Sequence, residues 1–569
     1  MAHIDTPVLV VGGGPVGLML SIELASRAVP NMLVNTGETT AAHPQGNTHN
    51  CRTMEHYRRH GIGDSVRIVG LPHEDVTDVM CCTRLNGIEL SRIPMPSSAD
   101  KVRRIIERDP TFLTPEPIHR ASQLYVEPVL KKHAQEQKEI HLKYGWKLIC
   151  FRQKKDHVIA EIEKVSSGQV QKVRCRWLAG CDGAQGFVRR ELGIKYLGEG
   201  GEEIAFMIGR MISVYIDAPG IYDVMPNNRA WQIWTINEDS RACFVSLDGR
   251  GKFVVLAKHP AGNKREEGVS DNKVYSKMVR ALINAAIGTQ IDFKIISVKD
   301  WTAGNALVAE RYQSKNVFLA GDSAHLFTPT GGFGMNTGID DAVNLGWKMA
   351  AVYQGWAPEK LLDTYDVERR PIGIRNTQAS RKLASDVATI EIPPVLEDST
   401  PEGAQQRVIL GEHLAGFTEE FASLGIQLGV RYDTSPLIIS DGSTAPLDSA
   451  VDYVPSGSPG GRAPHTWLED GASILDKFGQ WFTLLKFGLD DIDTTPFQNM
   501  AQTLNIPLTV VQISEPNAQK LYGCGLVLVR PDGHVAWRGN TLPNVLKGLL
   551  RTVSGHTVHE INRSDRNDH

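Results

Sequence analysis

The feature that most restricts the fold of this chain is a glycine cluster near its start, set between an apolar run and a helical pattern. Residues Val8–Val11 form a continuous apolar run, typical of a buried parallel strand. GGGPVG follows at 12–17, residues 16–26 have helical periodicity, and 31–35 predict a second short strand. This βαβ unit is the context that a dinucleotide-binding fingerprint requires. The sequence therefore predicts an α/β fold with a Rossmann-like nucleotide-binding domain.

Each glycine of this motif has a separate predicted role. Gly12 permits the tight turn, Gly14 lets the backbone approach a pyrophosphate, and Gly17 lets the helix pack closely on the strand. Pro15 lies in the same motif, and the unpaired N–H groups at the helix start attract phosphate oxygens. The fingerprint expects an acidic residue about 20 positions later. Asn35 ends the second strand instead, and its amide can still bond a ribose hydroxyl without a charge.

Two later segments add to the same predicted site. Val317–Ala320 reads as another buried strand, and the Gly321-Asp322 pair after it places a carboxylate where it can hold a polyol. An ordinary turn or helix cap is the alternative interpretation of Asp322. PTGGFGMNTG follows at 329–338, where glycines let the backbone run close to a flat ligand. A helix starting at about Met335 would direct its positive end at an anion such as a reduced flavin.

The rest of the chain divides into an inserted sheet, a linker and a final domain. Residues 203–300 carry short alternating runs that favour an antiparallel sheet. We predict a domain over 1–390 with an insert at about 80–118 and 203–300, a linker at 391–405 rich in proline and acidic residues, and a separate domain over 406–569. Apolar residues at 526–529 and 535–537 flank a Pro-Asp-Gly turn, which indicates a hairpin in that last domain.

Composition excludes several classes of function. The formal net charge of −4 and the lack of a basic run argue against nucleic-acid binding. No stretch approaches the roughly 18–20 apolar residues of a membrane helix, and the start of the chain does not resemble a signal peptide. Eight cysteines without a CxxC pair favour reduced thiols, so a cytoplasmic location is expected.

Taken together, these motifs resemble the aromatic-hydroxylase branch of the class A flavoprotein monooxygenases. The resemblance covers about 1–390 and is carried by the following segments: GGGPVG at 12–17, NCRTMEHYRRHGI at 50–62, CDGAQGFVRR at 181–190, GDSAHLFTPTGGFGMNTGIDDAVNLGWK at 321–348 and ERRP at 368–371. RAPHTWL at 462–468 and LVLVRPDGHVAWR at 526–538 resemble the thioredoxin-like C-terminal domain of the phenol hydroxylase and hydroxyphenylpropionate hydroxylase subgroup. That domain's CxxC is absent here, so a packing or dimerisation role is expected, with a homodimer as one option.

The resemblance implies FAD as the cofactor and assigns its contacts. The first glycine motif would hold the pyrophosphate, Asn35 and Arg52 would reach ribose or phosphate, and Gln123 would lie beside the flavin chain. Asp182 and Gly183 would contact both FAD and the nicotinamide, and Asp322 would bond the ribityl chain. The remaining implied contacts lie in the two later glycine-rich segments: Gly321, Pro329, Gly332, Gly334, Met335 and Asn336.

The resemblance also implies a reaction. NADPH or NADH would reduce the flavin transiently, O2 would add to give a flavin hydroperoxide, and its outer oxygen would attack a phenol-like aromatic substrate. The protein would orient the ring and exclude water. Trp231 and Trp234 would line or support the substrate sheet.

The catalytic base is less well defined. Relatives often place Asp or His five residues before the arginine at Arg52, but here that position is Asn47, which cannot accept the proton. His49 could substitute, or it could be a packing histidine. His56 and His60 have a metal-like spacing, but no third ligand is evident and no metal is expected.

Three alternative functions stay open at this point. A halogenase would carry a WxWxIP signature, whereas WQIWTI at 231–236 has other spacing and no proline. An epoxidase or Baeyer–Villiger oxygenase could use the same oxygenating species. An inactive flavin-binding module is the third alternative, against which the intact glycines and Asp322 count.

Overall fold

The first glycine motif lies at the carboxyl edge of a parallel sheet. The computed structural model describes residues 3–200, 208–225, 229–259, 272–417, 421, 423–488 and 492–558. Its strands are β1 (His3–Val11), β2 (Asn31–Asn35), β3 (Val79–Cys82), β4 (Glu89–Ile93), β5 (Ile140–Tyr144), β6 (Trp146–Gln153), β7 (Val158–Lys164), β8 (Val170–Gly180), β9 (Tyr196–Glu199), β10 (Gly209–Asp217), β11 (Gln232–Ile236), β12 (Arg241–Ser246), β13 (Lys252–Lys258), β14 (Lys294–Ala303), β15 (Ala306–Ala309), β16 (Gln313–Ser314), β17 (Val317–Leu319), β18 (His325–Leu326), β19 (Phe482–Phe487), β20 (Leu508–Ile513), β21 (Leu526–Val529) and β22 (Val535–Gly539).

Helices connect these strands and cover the sheets. They are α1 (Pro15–Ala25), α2 (Cys51–Arg59), α3 (Gly63–Arg67), α4 (Ser98–Ile106), α5 (Gln123–Gln135), α6 (Phe187–Glu191), α7 (Ile221–Val224), α8 (Asn272–Ile287), α9 (Phe333–Tyr353), α10 (Thr364–Ala388), α11 (Pro401–Ala415), α12 (Leu424–Leu428), α13 (Thr495–Thr503), α14 (Pro516–Tyr522) and α15 (Leu546–Val553). Among the described residues, no helix is both long and apolar enough to cross a membrane.

The first sheet has the order β16-β17-β8-β1-β2-β5, with β7 and β6 added in turn to β8. β1 pairs in parallel with both β2 and β8, and β17 pairs in parallel with β8. Residues Val8–Val11 are almost fully buried in a core that also contains side chains of α1, α9 and the β6–β7 hairpin. The predicted βαβ unit is confirmed, and the ends of β1, β8 and β17 bring three predicted motifs to one edge.

The second sheet has the order β14-β10-β13-β12-β11-β3-β4 and is antiparallel apart from the β11–β3 pair. One face packs against α8. The other face, which we call the inner face, carries Trp231, Trp234, Met211 and Tyr215 and packs against residues of α5, α10 and α11. The predicted antiparallel sheet is confirmed for the described residues. Residues 203–207, 226–228 and 260–271 of the predicted insert lie outside them.

The C-terminal sheet has the order β20-β19-β21-β22, in which β19 and β20 are parallel and the other pairs antiparallel. The predicted hairpin is confirmed as β21 and β22. This mixed sheet with α13, α14 and α15 is the thioredoxin-like arrangement expected from the sequence. Residues 559–569 of the predicted domain lie outside the described part of the chain.

The predicted linker at 391–405 needs a correction at its end, where the chain is helical from Pro401. Thr400 caps α11, since its hydroxyl accepts from the N–H of Gly403 at 3.1 Å. Leu410 and Leu414 of α11 are buried against the inner face. Pro401, one of the three prolines of the predicted linker, is the first residue of this helix, a position where its missing N–H costs nothing.

Candidate active site

The three glycines of the first motif have different surroundings. Gly12 has φ +115°, and a Cβ there would lie 2.1 Å from the carbonyl oxygen of Cys181. A Cβ on Gly17 would lie 2.0 Å from the carbonyl oxygen of Gly12. Gly14 has open space instead, with no atom within 4 Å of the Cβ position. Gly14 precedes Pro15, and no side chain caps α1. The open side of this helix start therefore fits a pyrophosphate.

Asn35 binds the glycine turn itself. Its Oδ1 accepts from the N–H of Gly13 at 3.0 Å, and its Nδ2 donates to the carbonyl oxygen of Gly37 at 3.1 Å. The Tyr144 hydroxyl donates to the carbonyl oxygen of Gly13 at 2.9 Å. Asn35, which was expected at the adenosine ribose, thus fixes the glycine turn of the first motif.

The Asp182-Gly183 pair directly follows β8, next to the first motif. Asp182 Oδ2 accepts from the N–H of Val188 at 2.9 Å. Asp182 Oδ1 is buried and has no hydrogen-bond partner among the described residues. Burial raises the pKa of this carboxyl group. Gly183 has φ +83°. The Asp182 carboxylate is thus held against its own turn at this edge of the sheet, where a Cβ on Gly186 would lie within contact distance of Oδ1.

The Gly321-Asp322 pair lies beside the first motif from the other side. Gly321 has φ +62°, its N–H donates to Asp341 Oδ2 at 3.1 Å, and a Cβ there would lie 2.9 Å from a methyl of Val16. The carbonyl oxygen of Asp322 accepts from the Tyr196 hydroxyl. The side chain of Asp322 is accessible to solvent, but surrounding protein still raises its pKa by desolvation. The carboxylate is thus presented at the edge where β1, β8 and β17 end.

The third glycine segment begins α9. Pro329 is exposed, and Gly332 takes a left-handed conformation as the N-cap residue with φ +65°. A Cβ on Gly334 would lie 3.3 Å from the ring of Phe327. Asn336 Nδ2 donates to the carbonyl oxygens of Gly332 at 2.7 Å and Thr48 at 3.0 Å. The start of α9 is therefore held in place by its own side chain.

Gln123 and Met335 meet around Gly46. The N–H of Gln123 donates to the carbonyl oxygen of Gly46 at 2.7 Å, and Gln123 Nε2 donates to Glu127. A Cβ on Gly46 would lie 3.6 Å from Met335 Sδ. The loop after β2, the start of α5 and the start of α9 therefore converge on one place.

Arg52 is directed toward the C-terminal domain. Its guanidinium donates to Glu55 Oε2 at 2.9 Å and to the carbonyl oxygen of Asp532. Its Nε lies 3.7 Å from Asp340 Oδ1. These protein contacts are all with acceptors of α2, α9 and the β21–β22 turn, and the FAD contact expected of Arg52 stays a prediction.

The two candidate bases lie in different surroundings. Asn47 is half-buried, its Nδ2 donates to the carbonyl oxygen of Gln45 at 3.1 Å, and its Oδ1 is buried without a partner in the described part of the chain. His49 is fully buried with Tyr57 beside it, the hydroxyl 3.4 Å from Nδ1. Desolvation lowers the pKa of His49 to about 3. A histidine in this environment is a weak proton acceptor.

His56 and His60 each contact a different carboxylate. His56 Nε2 lies 2.7 Å from Asp340 Oδ1, and His60 Nε2 lies 2.7 Å from Glu23 Oε2.

Trp231 and Trp234 both lie on the inner face and are almost fully buried.

A buried ion cluster behind the glycine edge was not predicted from the sequence. Arg369 is fully buried, and its Nε donates to Asp341 Oδ1 at 2.7 Å. Asp341 Oδ2 also lies 2.7 Å from His325 Nε2. Asp340 adds a contact of 3.4 Å to Arg369 NH1. The sequence signal for this cluster was the acidic pair in GIDDAV and the arginine pair in ERRP. Their side chains join α9 to α10 and to the Gly321 turn.

These converging turns define an α/β protein with a site for an FAD-type dinucleotide. Residues 5–380 match the FAD binding domain family, and residues 456–557 match the family of the aromatic-ring hydroxylase C-terminal domain. The chain belongs to the FAD-dependent aromatic-ring hydroxylases, a family of flavoprotein monooxygenases.

Similar proteins span almost the whole chain. The FAD-dependent monooxygenase apdD of Emericella nidulans is 31% identical, covering 94% of this chain and 88% of its own length. The 4-methyl-5-nitrocatechol 5-monooxygenase of a Burkholderia species is 31% identical over 97% of this chain and 98% of that protein. The rebeccamycin biosynthetic enzyme RebC, solved with reduced flavin, has a TM-score of 0.85 and 33% identity over 97% of this chain and 100% of its own.

Proposed function

We propose that this chain is a single-component, NAD(P)H-dependent monooxygenase that hydroxylates a phenolic aromatic compound. The observation that carries the proposal is the convergence of three glycine turns, from Gly12, Gly321 and Gly332, beside the apolar inner face of the second sheet. Relatives that cover almost the whole chain include monooxygenases named for nitrocatechol and dichlorophenol substrates.

The protein's own residues would hold FAD along this edge. Gly12, Gly14 and the N–H groups of α1 would receive the pyrophosphate, because only the Gly14 side is open. Asp182 and Asp322 would accept from hydroxyl groups of the bound cofactor. The α9 start would lie against the flavin ring, where its positive end favours a reduced, anionic ring. When bound, FAD supplies the transfer of one oxygen atom of O2 to the aromatic ring at the expense of NAD(P)H.

The inner face would hold the substrate and keep water away. Met211, Tyr215, Trp231 and Trp234 are all buried there and present apolar and aromatic surface. Such a surface positions an aromatic ring by packing and lowers the local water concentration, which favours productive oxygen transfer. Neither Asn47 nor His49 is suited to take the phenolic proton, so we assign that step to no side chain.

Reconstituted protein tests the proposal directly. Purified chain with added FAD should become yellow, and NADPH or NADH oxidation should rise on addition of a suitable monocyclic or polycyclic phenol. The product should contain one additional oxygen atom derived from labelled O2. A protein that binds FAD but turns over none of these phenols would refute the assigned reaction.

A further inference from the structure

Arg120 lies between the predicted flavin site and the predicted substrate sheet. It belongs to the segment before α5, in which the backbones of His119 and His49 pair. The Arg120 side chain is almost fully buried, and its NH1 donates to the Thr48 hydroxyl at 2.6 Å. Its guanidinium carbon lies 4.2 Å from the centre of the Trp231 ring. The planar cation is therefore stacked on the inner face.

Thr48 connects Arg120 to the flavin-site helix. Its carbonyl oxygen accepts from Asn336 Nδ2 at 3.0 Å, and its Cβ lies 3.2 Å from the position that a methyl on Gly332 would occupy. Arg120 thus contacts, through Thr48, the loop that starts α9, and directly contacts an indole of the inner face. A substrate held between these two surfaces would come within reach of the guanidinium.

Further buried cations surround Arg120. Lys101 of α4 is almost fully buried, and its Nζ lies 3.5 Å from the Thr77 hydroxyl. Burial, with Arg120 and Arg67 nearby, lowers the pKa of Lys101 to about 7. Arg67 is compensated by Glu116, and His119 is kept neutral because burial lowers its pKa to about 3. Lys101 therefore lies together with Arg120 and Arg67 in a buried region that contains several cationic side chains.

We propose that Arg120 is a substrate-binding residue that selects aromatic compounds with an anionic oxygen, either a phenolate or a carboxylate. This inference rests on the proposed function and gives its substrate a charge. A guanidinium binds such oxygens through charge-assisted hydrogen bonds, while Trp231 supports the plane of the cation. For a phenol, the proton leaves to solvent on binding and the cation stabilises the phenolate. This removes the need for a base at Asn47 or His49.

Paired probes of similar size, one anionic and one neutral in each pair, test the inference. FAD-loaded enzyme is dialysed to equilibrium against benzoate or benzamide, and separately against 4-nitrophenolate or its methyl ether, 4-nitroanisole. The variants are Arg120→Gln and Arg120→Lys, with FAD content and circular dichroism as checks of folding. Arg176→Gln is the matched control, because Arg176 also stacks on an indole, 4.4 Å from the Trp177 ring, but lies on β8 next to Glu359.

Wild-type enzyme should bind at least one anion about tenfold or more tightly than its neutral partner, a difference of about 1.4 kcal/mol or more, because charge-assisted hydrogen bonds are stronger than neutral ones. Arg120→Gln should lose that preference, Arg120→Lys should keep part of it, and Arg176→Gln should keep all of it. The benzoate and nitrophenolate pairs distinguish a carboxylate from a phenolate.

Two results would overturn the inference: equal binding of charged and neutral partners by the wild type, or an unchanged preference in folded Arg120→Gln. The dialysis requires no turnover. An enzyme that shows the anion preference but forms no hydroxylated product would refute the proposed function while leaving the role of Arg120 standing.

Discussion

Gly12 and Gly14 lie two residues apart, yet the structure predicts opposite consequences for adding a methyl group. Gly14 has φ −77° and ψ −175°, which alanine adopts readily, and the space around its Cβ is open. We expect Gly14→Ala to change the unfolding free energy of the FAD-free protein by no more than about 1 kcal/mol. We expect the FAD affinity to fall about tenfold or more, because the methyl would occupy the space assigned to the pyrophosphate.

Gly12→Ala provides the contrast. Its φ of +115° is disfavoured for alanine, and its methyl would overlap the backbone of Cys181, which cannot move aside cheaply. This variant should unfold at lower urea concentration even without FAD. Fluorescence titration of FAD and urea unfolding measure both effects. A Gly14→Ala protein with wild-type FAD affinity would contradict the pyrophosphate assignment.

At the scale of single residues, the sequence predicted where two backbone segments come close together, but it did not predict the hydrogen bonds of the side chains at those places. The glycine positions follow from sterics, so the pattern alone located Gly12, Gly17 and their turn. Asn35 was expected at a ribose, yet its side chain also binds Gly13, a contact that depends on how β2 ends beside β1. Arg52 turns to Asp532, some 480 residues later in the chain, which local pattern cannot reveal.

At the scale of elements, the start of α9 depends on one amide. Asn336 is buried, donates to Thr48 and Gly332, and its Oδ1 accepts from the N–H of Asn50 at 2.9 Å. Asn336→Ala would leave buried backbone groups without partners, which costs about 1–3 kcal/mol in unfolding free energy. We also expect weaker FAD binding, because the Gly332 turn would lose its tie to the Thr48 loop.

Asn499→Ala is the matched control, since Asn499 is an exposed helical asparagine of α13. Urea unfolding with and without FAD measures both effects. Equal stability of Asn336→Ala and the wild type would show that the three hydrogen bonds do not stabilise the turn.

Element types were predictable where periodicity was strong, and boundaries shifted where capping decided them. α9 was expected from about Met335, and it begins at Phe333 because Gly332 supplies a left-handed N-cap. The 391–405 segment was expected as a linker from its composition, but Thr400 and Pro401 start α11, which buries leucines against the inner face. Tertiary packing, which composition does not encode, determined the second case.

At the scale of the whole molecule, the C-terminal domain is joined to the FAD-binding domain by buried charge. Arg530, in the turn between β21 and β22, is fully buried and donates to Glu368 of α10 at 2.6 and 2.8 Å. It also donates to Asp532, and Lys348 of α9 donates to Glu368 at 2.6 Å. Arg530 and Lys348 thereby hold the pKa of Glu368 below its usual range.

Arg530→Ala should therefore destabilise the protein by about 3–5 kcal/mol, because Glu368 and Asp532 would stay buried with too little positive charge. Arg551→Ala, at an exposed arginine of α15 in the same domain, should change stability by no more than about 0.5 kcal/mol. Urea unfolding at pH 7 compares the two variants. Similar small effects in both would show that the buried cluster does not hold the domains together.

Buried histidines should make the whole molecule sensitive to mild acid. Burial lowers the pKa of His49, His119 and His465 to about 3 in the folded chain, whereas an unfolded histidine titrates near 6.5. Between these values the unfolded state binds protons that the folded state does not, so stability falls as pH falls. From pH 7 to 5.5 the expected loss is about 1 kcal/mol for each histidine, or about 3–4 kcal/mol together.

The paired carboxylates cannot account for a loss in this pH window. Burial among cations lowers the pKa of Glu55 to about 2, and its stabilising contribution fades only once the pH falls below the ordinary glutamate value of about 4.3. Urea unfolding is measured at about pH 7, 6.25 and 5.5, values that span the titration of an unfolded histidine. The free energy of unfolding should decline over this range. In His119→Gln the slope of the decline should correspond to about one proton fewer taken up on unfolding. A free energy of unfolding that stays level over this range would mean that these imidazoles titrate in the folded chain much as they do in the unfolded one, so that their burial does not lower their pKa.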